Sequence, residues 1–409
     1  MTAVETDVLI VGAGPTGLAA AALLARHGVR VRVLEKRASR SDTSRAFGLL
    51  PGTLECIEGF LEPSVTELLR AAGVAITRAE VHVGLQKPIG IGLQNLPTRQ
   101  PFLVLEQCET ERILEEYLSS LGVEIERGRE VIALEQAPDY ITVHASSLGG
   151  RRESIKSVFV IGCDGAGSTV RRQLGISFLG YQYEGNFMLA DAKLKGEWPE
   201  SRVQAFVSGH GVLDVFPLGR GWMRLIAMLK TKGPVSSAEV TMPEFQSAVD
   251  VLSERRIEIT EHRWLTRFNV HKRLAQTYRS GRAFLAGDAA HIHSPAGGQG
   301  LNLGIQDAFN LATKIIVVLR GGEDSLLDRY EPERRPAAMR VLRGTNLAFR
   351  IMLLRERAPV TWARSLLFPR LVRWRPLQKL VLNEVSALEP ARREIARKVF
   401  RGRLAQNET

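Results

Sequence analysis

Short apolar runs and a longer helical stretch alternate at the start of the chain. Residues 6–11 (TDVLIV) and 29–34 (VRVRVL) are short, apolar and rich in β-branched side chains, which predicts two buried strands. Residues 18–27 predict a helix between them that stops at Gly28. This order predicts a βαβ unit close to the N-terminus.

The buried-strand pattern returns twice, at residues 158–163 (VFVIGC) and 283–287 (AFLAG). Residues 110–121 and 301–319 predict helices, and residues 123–160 predict several short strands. We therefore expect the strands of one buried sheet to come from distant parts of the chain.

Residues 181–267 have a different pattern, because apolar and polar side chains alternate, as in VQAFVSG and WMRLIAML. This alternation predicts an antiparallel sheet with one face exposed to water. Since buried strands flank the block on both sides, we expect a discontinuous dinucleotide-binding domain with an antiparallel block inserted into it.

Composition indicates a globular protein of two or three domains, with 409 residues, 44% of them hydrophobic and 24% charged. The formal net charge is +11. Residues 331–409 hold 18 Lys and Arg against 7 Asp and Glu, so they carry the whole excess. The rest of the chain is neutral, and no nucleic-acid recognition module is present.

The three cysteines, Cys56, Cys108 and Cys163, form no CxxC pair and no Cys/His cluster. We therefore expect buried thiols in a reducing cytoplasm, with no disulfide framework and no metal site. Glu5 and Asp7 stand where a signal peptide would be basic. No apolar run reaches the roughly 18 residues that span a bilayer, so a cytoplasmic protein is expected.

A glycine-rich turn, GAGPTG at residues 12–17, separates the first predicted strand from the first helix. Gly12 permits a tight turn, Gly14 lets the backbone approach a pyrophosphate, and Gly17 lets the helix pack closely on the strand. The helix N-terminus favours phosphate charge, and Glu35 at the end of the second strand suits an adenosine ribose. The motif predicts a dinucleotide site without distinguishing FAD from NAD.

A second glycine-rich turn, GCDGAGST at residues 162–169, places Asp164 at the end of a predicted strand. The small residues after it would allow a ligand to approach the backbone. An Asp-Gly pair is equally typical of an ordinary tight turn, so this motif gains weight only beside the others.

The third motif, GDAAHIHSPAGGQGLN at residues 287–302, is the most informative. Its strand would deliver Asp288 to a sheet edge, where a carboxylate suits the hydroxyl groups of a polyol chain. The loop then opens onto a long helix, whose N-terminus is a second positive pole. Backbone N–H groups from Gly300 to Asn302 suit the negative charge of a reduced flavin.

In this order and at these separations, the three motifs resemble the FAD-dependent aromatic hydroxylases, single-component flavin monooxygenases with the para-hydroxybenzoate hydroxylase fold. The chain is most similar to bacterial aromatic polyketide and natural-product hydroxylases and to tetracycline-inactivating monooxygenases. The resemblance covers about residues 5–350. It implies an α/β fold with a Rossmann-like FAD-binding domain of the GR2 type, an inserted antiparallel-sheet substrate domain and C-terminal helices.

The resemblance and the pattern together predict the domain organisation. We expect the FAD-binding domain at residues 1–75, 101–180 and 268–330, the substrate domain at residues 76–100 and 181–267, and a basic helical segment at residues 331–409. A further thioredoxin-like C-terminal domain, which several family members carry, is not expected.

The resemblance also implies which residues hold FAD. Those for the ADP half are Gly12, Gly14, Pro15, Gly17, Glu35, Lys36, Arg112 and Val131, with Gln107 facing the cofactor. Asp164 would serve both FAD and the nicotinamide donor, and Asp288 the ribityl chain. Those that line the flavin ring are Pro295, Gly298, Gly300, Leu301 and Asn302. Arg45 and Pro295 would position the flavin for catalysis.

Only one dinucleotide fingerprint is present, so NADPH or NADH would visit transiently if FAD fills it. The resemblance implies that O2 and reduced flavin form a C4a-hydroperoxide that hydroxylates an aromatic or polyketide-like small molecule, in natural-product biosynthesis or modification. Three alternatives stay open: Baeyer–Villiger oxygenation, another FAD oxidoreductase, and a non-enzymatic flavoprotein that binds an unstable intermediate. His291 and His293 are acid–base candidates, although histidines satisfied within the loop are the simpler interpretation.

The antiparallel block is expected to form a wall of the substrate pocket. Its candidate lining residues are Phe187, Phe206, Phe216, Trp222 and Met223. Arg224 is a candidate partner for an anionic substrate, although a solvated arginine is more typical of an alternating strand. Ordinary packing is the simpler interpretation of the apolar candidates.

Residues 345–383 mix arginines with Leu, Phe and Trp side chains. We expect helices that pack on the FAD-binding domain, with solvated arginines. An oligomer contact, in a protein that is a monomer or a homodimer, and peripheral contact with an anionic membrane surface are the alternatives.

Overall fold

The computed structural model describes residues 4–41, 46–84, 87–93, 96, 98–230, 239–254, 257–294, 298–352 and 374. Within them lie 21 strands: β1 (Thr6–Val11), β2 (Val31–Glu35), β3 (Phe47–Leu49), β4 (Val74–Ile76), β5 (Arg78–Val83), β6 (Ile89–Gly92), β7 (Phe102–Glu106), β8 (Ile125–Arg127), β9 (Arg129–Gln136), β10 (Ile141–Ser147), β11 (Arg152–Gly162), β12 (Phe178–Gln182), β13 (Asn186–Leu194), β14 (Arg202–Ser208), β15 (Gly211–Gly219), β16 (Trp222–Leu229), β17 (Ile259–Phe268), β18 (His271–Ala275), β19 (Arg279–Ser280), β20 (Ala283–Leu285) and β21 (His291–Ile292).

The same residues form eight α-helices: α1 (Pro15–Arg26), α2 (Pro51–Phe60), α3 (Pro63–Ala72), α4 (Gln107–Ser120), α5 (Thr169–Gln173), α6 (Met242–Ser253), α7 (Gly300–Leu319) and α8 (Tyr330–Met352). Short 3₁₀ helices lie at Gly287–Ala289 and Asp324–Arg329. No helix among the described residues is long and apolar enough to cross a membrane.

An eight-stranded sheet carries the nucleotide-binding half of the fold, with its main path in the order β19-β20-β11-β1-β2-β8. The central strand β1 pairs in parallel with both β2 and β11, and β11 pairs in parallel with β20. The central apolar residues of these strands are buried, as the sequence indicated: Val8–Val11, Val33–Leu34, Phe159–Ile161 and Ala283–Leu285. The predicted α/β fold is confirmed.

The second large sheet has seven strands in the order β17-β13-β16-β15-β14-β5-β6. Its pairs are antiparallel except that of β14 with β5. Residues 78–92 supply two of its strands and residues 186–268 supply five. The domain boundaries themselves stay a prediction.

Both faces of this second sheet are covered, so the prediction of a face exposed to water was wrong. Helix α6 packs on one face through Phe245 and Val249, and the other face lies toward the nucleotide-binding half. The polar residues that produced the alternation are largely internal: Asp191 is 2% exposed and Arg224 is 0% exposed, and they pair with each other. An alternating pattern indicates that the two faces of a sheet differ in polarity, but it does not show whether water or protein covers each face.

Candidate active site

Two adjoining cavities lie where the two large sheets approach each other. The large cavity, about 510 Å³, is bounded by the turn at residues 14–16, the loop at residues 298–301 and the seven-stranded sheet. The small cavity, about 340 Å³, runs along the carboxyl ends of β1, β2 and β11. They share the lining residues Gly14, Gln107, Cys163 and Gly165, so together they form one trough. Ligands of doubly wound sheets bind at this edge.

Two glycines of the first turn are required by close packing. Gly12 has φ +103°, and a Cβ there would lie 2.5 Å from the carbonyl oxygen of Cys163. A Cβ on Gly17 would lie 2.0 Å from the carbonyl oxygen of Gly12. Gly14 differs, because no atom lies within 4 Å of its virtual Cβ and it lines both cavities at the start of α1. The turn therefore leaves an open, positively polarised helix end that fits a phosphate group.

Glu35 places an ionised carboxylate beside this helix end, in the small cavity. Burial opposes its ionisation, but hydrogen bonds from the backbone N–H groups of Ala13 and Arg37 and from the Arg37 side chain lower the pKa of Glu35. Carboxylate oxygens each carry more than one acceptor site, so Glu35 can still receive a ribose hydroxyl. Lys36 and Val131 line the same cavity.

Asp164 lies at the small cavity and also caps a helix. Its carboxylate accepts hydrogen bonds from the backbone N–H groups of Thr169 and Val170, at 2.6 and 3.1 Å, and from the Ser168 hydroxyl. This capping explains the acidic residue of the second motif in structural terms. Gly165, with φ +75°, lines both cavities beside it.

Asp288 projects into the large cavity from the third motif. Gly287 before it has φ +62°, and a Cβ there would lie 2.6 Å from the Thr16 hydroxyl oxygen. A Cβ on Gly304 of α7 would lie 2.3 Å from the same oxygen, so α1, α7 and this loop are in close contact. The side chain of Asp288 is accessible from the cavity, while the protein around it raises its pKa by desolvation.

The two loop histidines have different surroundings. Nε2 of His291 lies 2.6 Å from the carboxylate of Asp307, which also accepts a hydrogen bond from Arg334 at 2.6 Å. All three side chains are at most 1% exposed, so His291 belongs to a buried network behind the loop. His293 lines the large cavity, and burial lowers its pKa to about 4, which keeps it neutral at pH 7.

Asn302 holds the loop at residues 298–301 against the strand β3. Its side-chain oxygen accepts from the Leu50 N–H, and its amide donates to the carbonyls of Gly48 and Gly298. With these hydrogen bonds, the Asn302 side chain already positions the loop. Gly298, Gly300 and Leu301 line the large cavity, and their role at the flavin stays a prediction.

Some of the other predicted cofactor residues line the cavities and some do not. Gln107 lines both cavities and donates to Glu111, whereas Arg112 lines neither and pairs with Glu109 and Glu116 on α4. Pro15 lines the large cavity at the start of α1. Arg45 and Pro295 lie outside the described residues, so their expected roles stay a prediction.

Of the six substrate-pocket candidates, Phe216 lines the large cavity, where it packs on Phe47 at 4.5 Å between ring centroids. Phe187 belongs to the apolar cluster on the same side of the sheet, but is not among the lining residues. The remaining four point elsewhere: Phe206 and Met223 pack toward α6, Trp222 packs beside Lys193 and Arg263, and Arg224 is fully buried against Asp191.

For Phe206 and Met223 the reason is the period of a strand, in which neighbouring side chains point to opposite faces. Trp222 and Arg224 share the parity of Ile226 on β16, but they contact other charged side chains and do not line the cavity. The sequence does not show which parity faces the cavity, so aromatic residues of both parities were candidates. The wall of the large cavity is instead formed by Leu189, Phe216, Ile226, Met228, Asp214 and His271, together with the loops. Asp214 had a signal in the sequence, because it is the one acidic residue within the apolar run VLDVFPL.

The parallel sheet, the glycine-rich helix start and the long trough beneath a second sheet define a dinucleotide-binding flavoprotein with a substrate domain. Residues 5–345 match the model of the FAD binding domain family, and the chain belongs to this family. Its members among the relatives are monooxygenases, and the chain is an FAD-binding flavin monooxygenase. The predicted family, cofactor and enzyme class are confirmed.

Individual relatives support this assignment. The chain is 35% identical to rifampicin monooxygenase of Streptomyces venezuelae, over 93% of this chain and 78% of that protein. It is similar to the structure of anhydrotetracycline hydroxylase from Streptomyces rimosus, with a TM-score of 0.77 and 34% identity over 94% of this chain and 76% of that one. A ternary complex of aklavinone-11 hydroxylase with FAD and aklavinone matches with a TM-score of 0.73 and 26% identity, covering 87% of this chain and 70% of that one.

Proposed function

We propose that this protein uses NADPH or NADH and O2 to hydroxylate an aromatic, polyketide-like small molecule. The observation that carries the proposal is the large cavity, where an apolar wall from the seven-stranded sheet faces the loops of the third motif. Its volume of about 510 Å³ is in the range of small-molecule sites. Two similar structures, an anhydrotetracycline hydroxylase and an aklavinone-11 hydroxylase, support the same substrate class.

The trough offers matching groups along its length for an extended FAD molecule. In this proposal the helix end at Gly14 and Pro15 binds the pyrophosphate, Glu35 and Lys36 face the adenosine half, and Asp288 binds the ribityl chain. Bound FAD supplies electron transfer from the nicotinamide and activation of O2. The protein orients the substrate against the loop at residues 298–301 and excludes water from the reacting atoms.

A substrate screen tests the function. Purified holoenzyme is mixed with aromatic and polyketide-like compounds, NAD(P)H and isotopically labelled O2, and both NAD(P)H oxidation and product mass are recorded. The proposal expects a product heavier by one labelled oxygen atom. Substrate-dependent NAD(P)H oxidation that yields only unmodified or dehydrogenated compound would contradict hydroxylation and favour another FAD oxidoreductase.

Replacing Asp288 by alanine is expected to weaken FAD retention by about tenfold or more, because hydrogen bonds to a charged or buried carboxyl are among the stronger ones. The measurement is the flavin-to-protein absorbance ratio after dialysis. Asp139→Ala, at an exposed aspartate in the turn between β9 and β10, is the matched control and should keep its flavin. An Asp288→Ala protein that stays fully yellow would remove Asp288 from the cofactor site.

We propose further that the basic C-terminal segment packs on the protein body through helix α8, which forms its start. The side-chain oxygen of Asn346 accepts hydrogen bonds from the hydroxyl groups of Tyr181 and Tyr183. Arg334 is buried against Asp307, so not all basic residues of this segment are solvated. Residues 353–373 and 375–409 lie outside the described residues.

Liposome co-sedimentation at low salt tests the alternative of membrane contact, and we expect no binding. A monomeric mass in solution would exclude the homodimer.

A further inference from the structure

A lone carboxyl group stands in the apolar wall of the large cavity. On β15, Val212, Asp214 and Phe216 point toward the cavity side of the sheet, while Leu213 and Val215 between them pack toward α6. Across the sheet, Asp214 is flanked by Ala205 of β14 and Ile226 of β16. Asp214 therefore presents its carboxyl to the cavity from an apolar surface.

No hydrogen bond or ion pair reaches this carboxyl from the described part of the chain. Burial raises the pKa of Asp214 to about 7, since no neighbouring charge favours its ionised form. Buried acidic groups are normally paired, because an unpaired one is costly. A carboxyl that lines a cavity without a partner is thus available to a ligand.

Among the residues that the structure describes, the other charged or titratable groups around the cavity do not compensate Asp214. Arg224, which lies on the same face of β16 two residues from Ile226, is held by both carboxylate oxygens of Asp191 at 2.7 and 2.8 Å. Burial lowers the pKa of His271 and lowers that of His293 to about 4, so burial disfavours the charged form of both imidazoles. Burial raises the pKa of the Cys163 thiol and of Asp288, which line other parts of the cavity.

We propose that Asp214 is the substrate-recognition and proton-accepting residue of this monooxygenase, and that it takes substrates with a hydroxyl group on the aromatic ring. The inference rests on the proposed hydroxylation. Its ligand is a phenolic hydroxyl because the apolar walls on either side fit a ring system, and the carboxylate needs a hydrogen-bond donor from that ring. Asp214 is thereby a determinant of specificity for phenols over their ethers.

The proton balance of this role is simple. The carboxylate of Asp214 accepts the proton of the ring hydroxyl, and the electron pair left on that oxygen raises the electron density of the ring carbons ortho and para to it. One atom of O2 enters the ring, the other leaves as water with electrons from NAD(P)H, and the ring carbon loses its hydrogen as a proton. Asp214 then returns its proton to the ring oxygen, so the residue is unchanged after turnover.

A binding experiment with the holoenzyme tests recognition without requiring turnover. The probes are 1-naphthol and its methyl ether, which share the ring system and differ in the donor hydrogen. Binding is followed through the perturbation of the flavin absorbance spectrum at a pH above neutrality. The wild type is expected to bind the naphthol at least tenfold more tightly than the ether. A preference below about twofold, or a preference that Asp214→Leu retains, overturns the proposal.

A second variant separates binding from proton transfer. Asp214→Asn keeps an acceptor oxygen but is a poor base, so it should still bind the naphthol while naphthol-dependent NAD(P)H oxidation coupled to hydroxylation falls by about 100-fold or more. The wild-type rate should rise with pH through about 7, and this rise should be absent in the variant. Equal rates and equal pH profiles would overturn the proton-accepting role.

Folding of the variants has its own control. Because the folded-state pKa of Asp214 is raised, ionising it opposes folding as the pH rises from the ordinary aspartate pKa toward 7. Asp214→Leu is therefore expected to melt no lower than the wild type at neutral pH, whereas a large loss would indicate a structural role. If every phenol fails to stimulate oxygen insertion, the proposed function fails, but the probe comparison still tests Asp214.

Discussion

A Gly17→Ala variant is expected to lose most of its FAD and much of its stability. The added methyl carbon would lie 2.0 Å from the carbonyl oxygen of Gly12 and 3.2 Å from Cγ2 of Ile10, and the first of these is a rigid backbone atom. Either the start of α1 moves away from β1 or the turn at Gly12 deforms. Both changes displace the N–H groups that face the small cavity, so the phosphate-binding surface is lost together with the packing.

The expected size of this effect is at least tenfold in FAD affinity, together with about 1–3 kcal/mol in the free energy of unfolding, as for other overpacked positions. Flavin content after dialysis and denaturant unfolding of the apoprotein measure the two quantities separately. Gly59→Ala is the matched control, since Gly59 lies in the helix α2 with no atom within 4 Å of its virtual Cβ. That variant should be as stable as the wild type or slightly more so. Full flavin content in Gly17→Ala would show that the turn tolerates the shift.

An Asp307→Asn variant is expected to be destabilised by about 3–5 kcal/mol, the usual cost of breaking a buried charged pair. The Asp307 carboxylate lies between His291 and Arg334, and it also accepts a hydrogen bond from the backbone N–H of Gly287. The amide keeps the shape but lacks the negative charge that faces Arg334. Because Gly287 leads directly into Asp288, flavin retention should fall as well.

The pH dependence of unfolding provides a second measurement of the same network. Burial disfavours the ionised form of Asp307, yet Arg334 and His291 lower its pKa below the ordinary value. The stabilisation is therefore present above the unfolded-state pKa of about 4 and is lost as the pH falls through the folded-state pKa. The wild type should lose this share of its stability in acid, and Asp307→Asn should lack it at every pH.

The control for this variant is Glu261→Gln, the same chemical change in an exposed ion pair with Lys193. Exposed pairs contribute at most about 1 kcal/mol, so this variant should unfold close to the wild type. If Asp307→Asn behaves like Glu261→Gln, the buried network does not hold the loop of the third motif.

The wrong expectation about the second sheet has a specific physical origin. The strands β13 and β16 contain Asp191 and Arg224 at positions that an alternating pattern assigns to water. In the folded protein these residues pair with each other, and Glu106 at the end of β7 lies 3.7 Å from Arg224. A polar side chain can satisfy itself with a partner as well as with water, and such a partner on another strand has no local sequence signal.

The sequence by itself determined the nucleotide-binding half, because its signals are local. The signals are a short apolar strand, a turn in which any residue larger than glycine would clash, and a helix start. They lie close together in the chain, and backbone sterics dictate each of them. Gly12, Gly17, Glu35 and the loop that ends at Asn302 were identified on that basis. The family resemblance carried over the cofactor and the enzyme class, and both were confirmed.

Only the tertiary structure decided which residues share a cavity. Phe216 and Asp214 were brought to the large cavity, Met223 and Phe206 to the opposite face, and Arg224 into an ion pair. These outcomes depend on strand register and on how two sheets approach each other, which are long-range properties that a one-residue shift would invert. Local chemistry in the chain can therefore predict the phosphate-binding turn, whereas the identity of the substrate wall follows from packing between segments that lie far apart in the sequence.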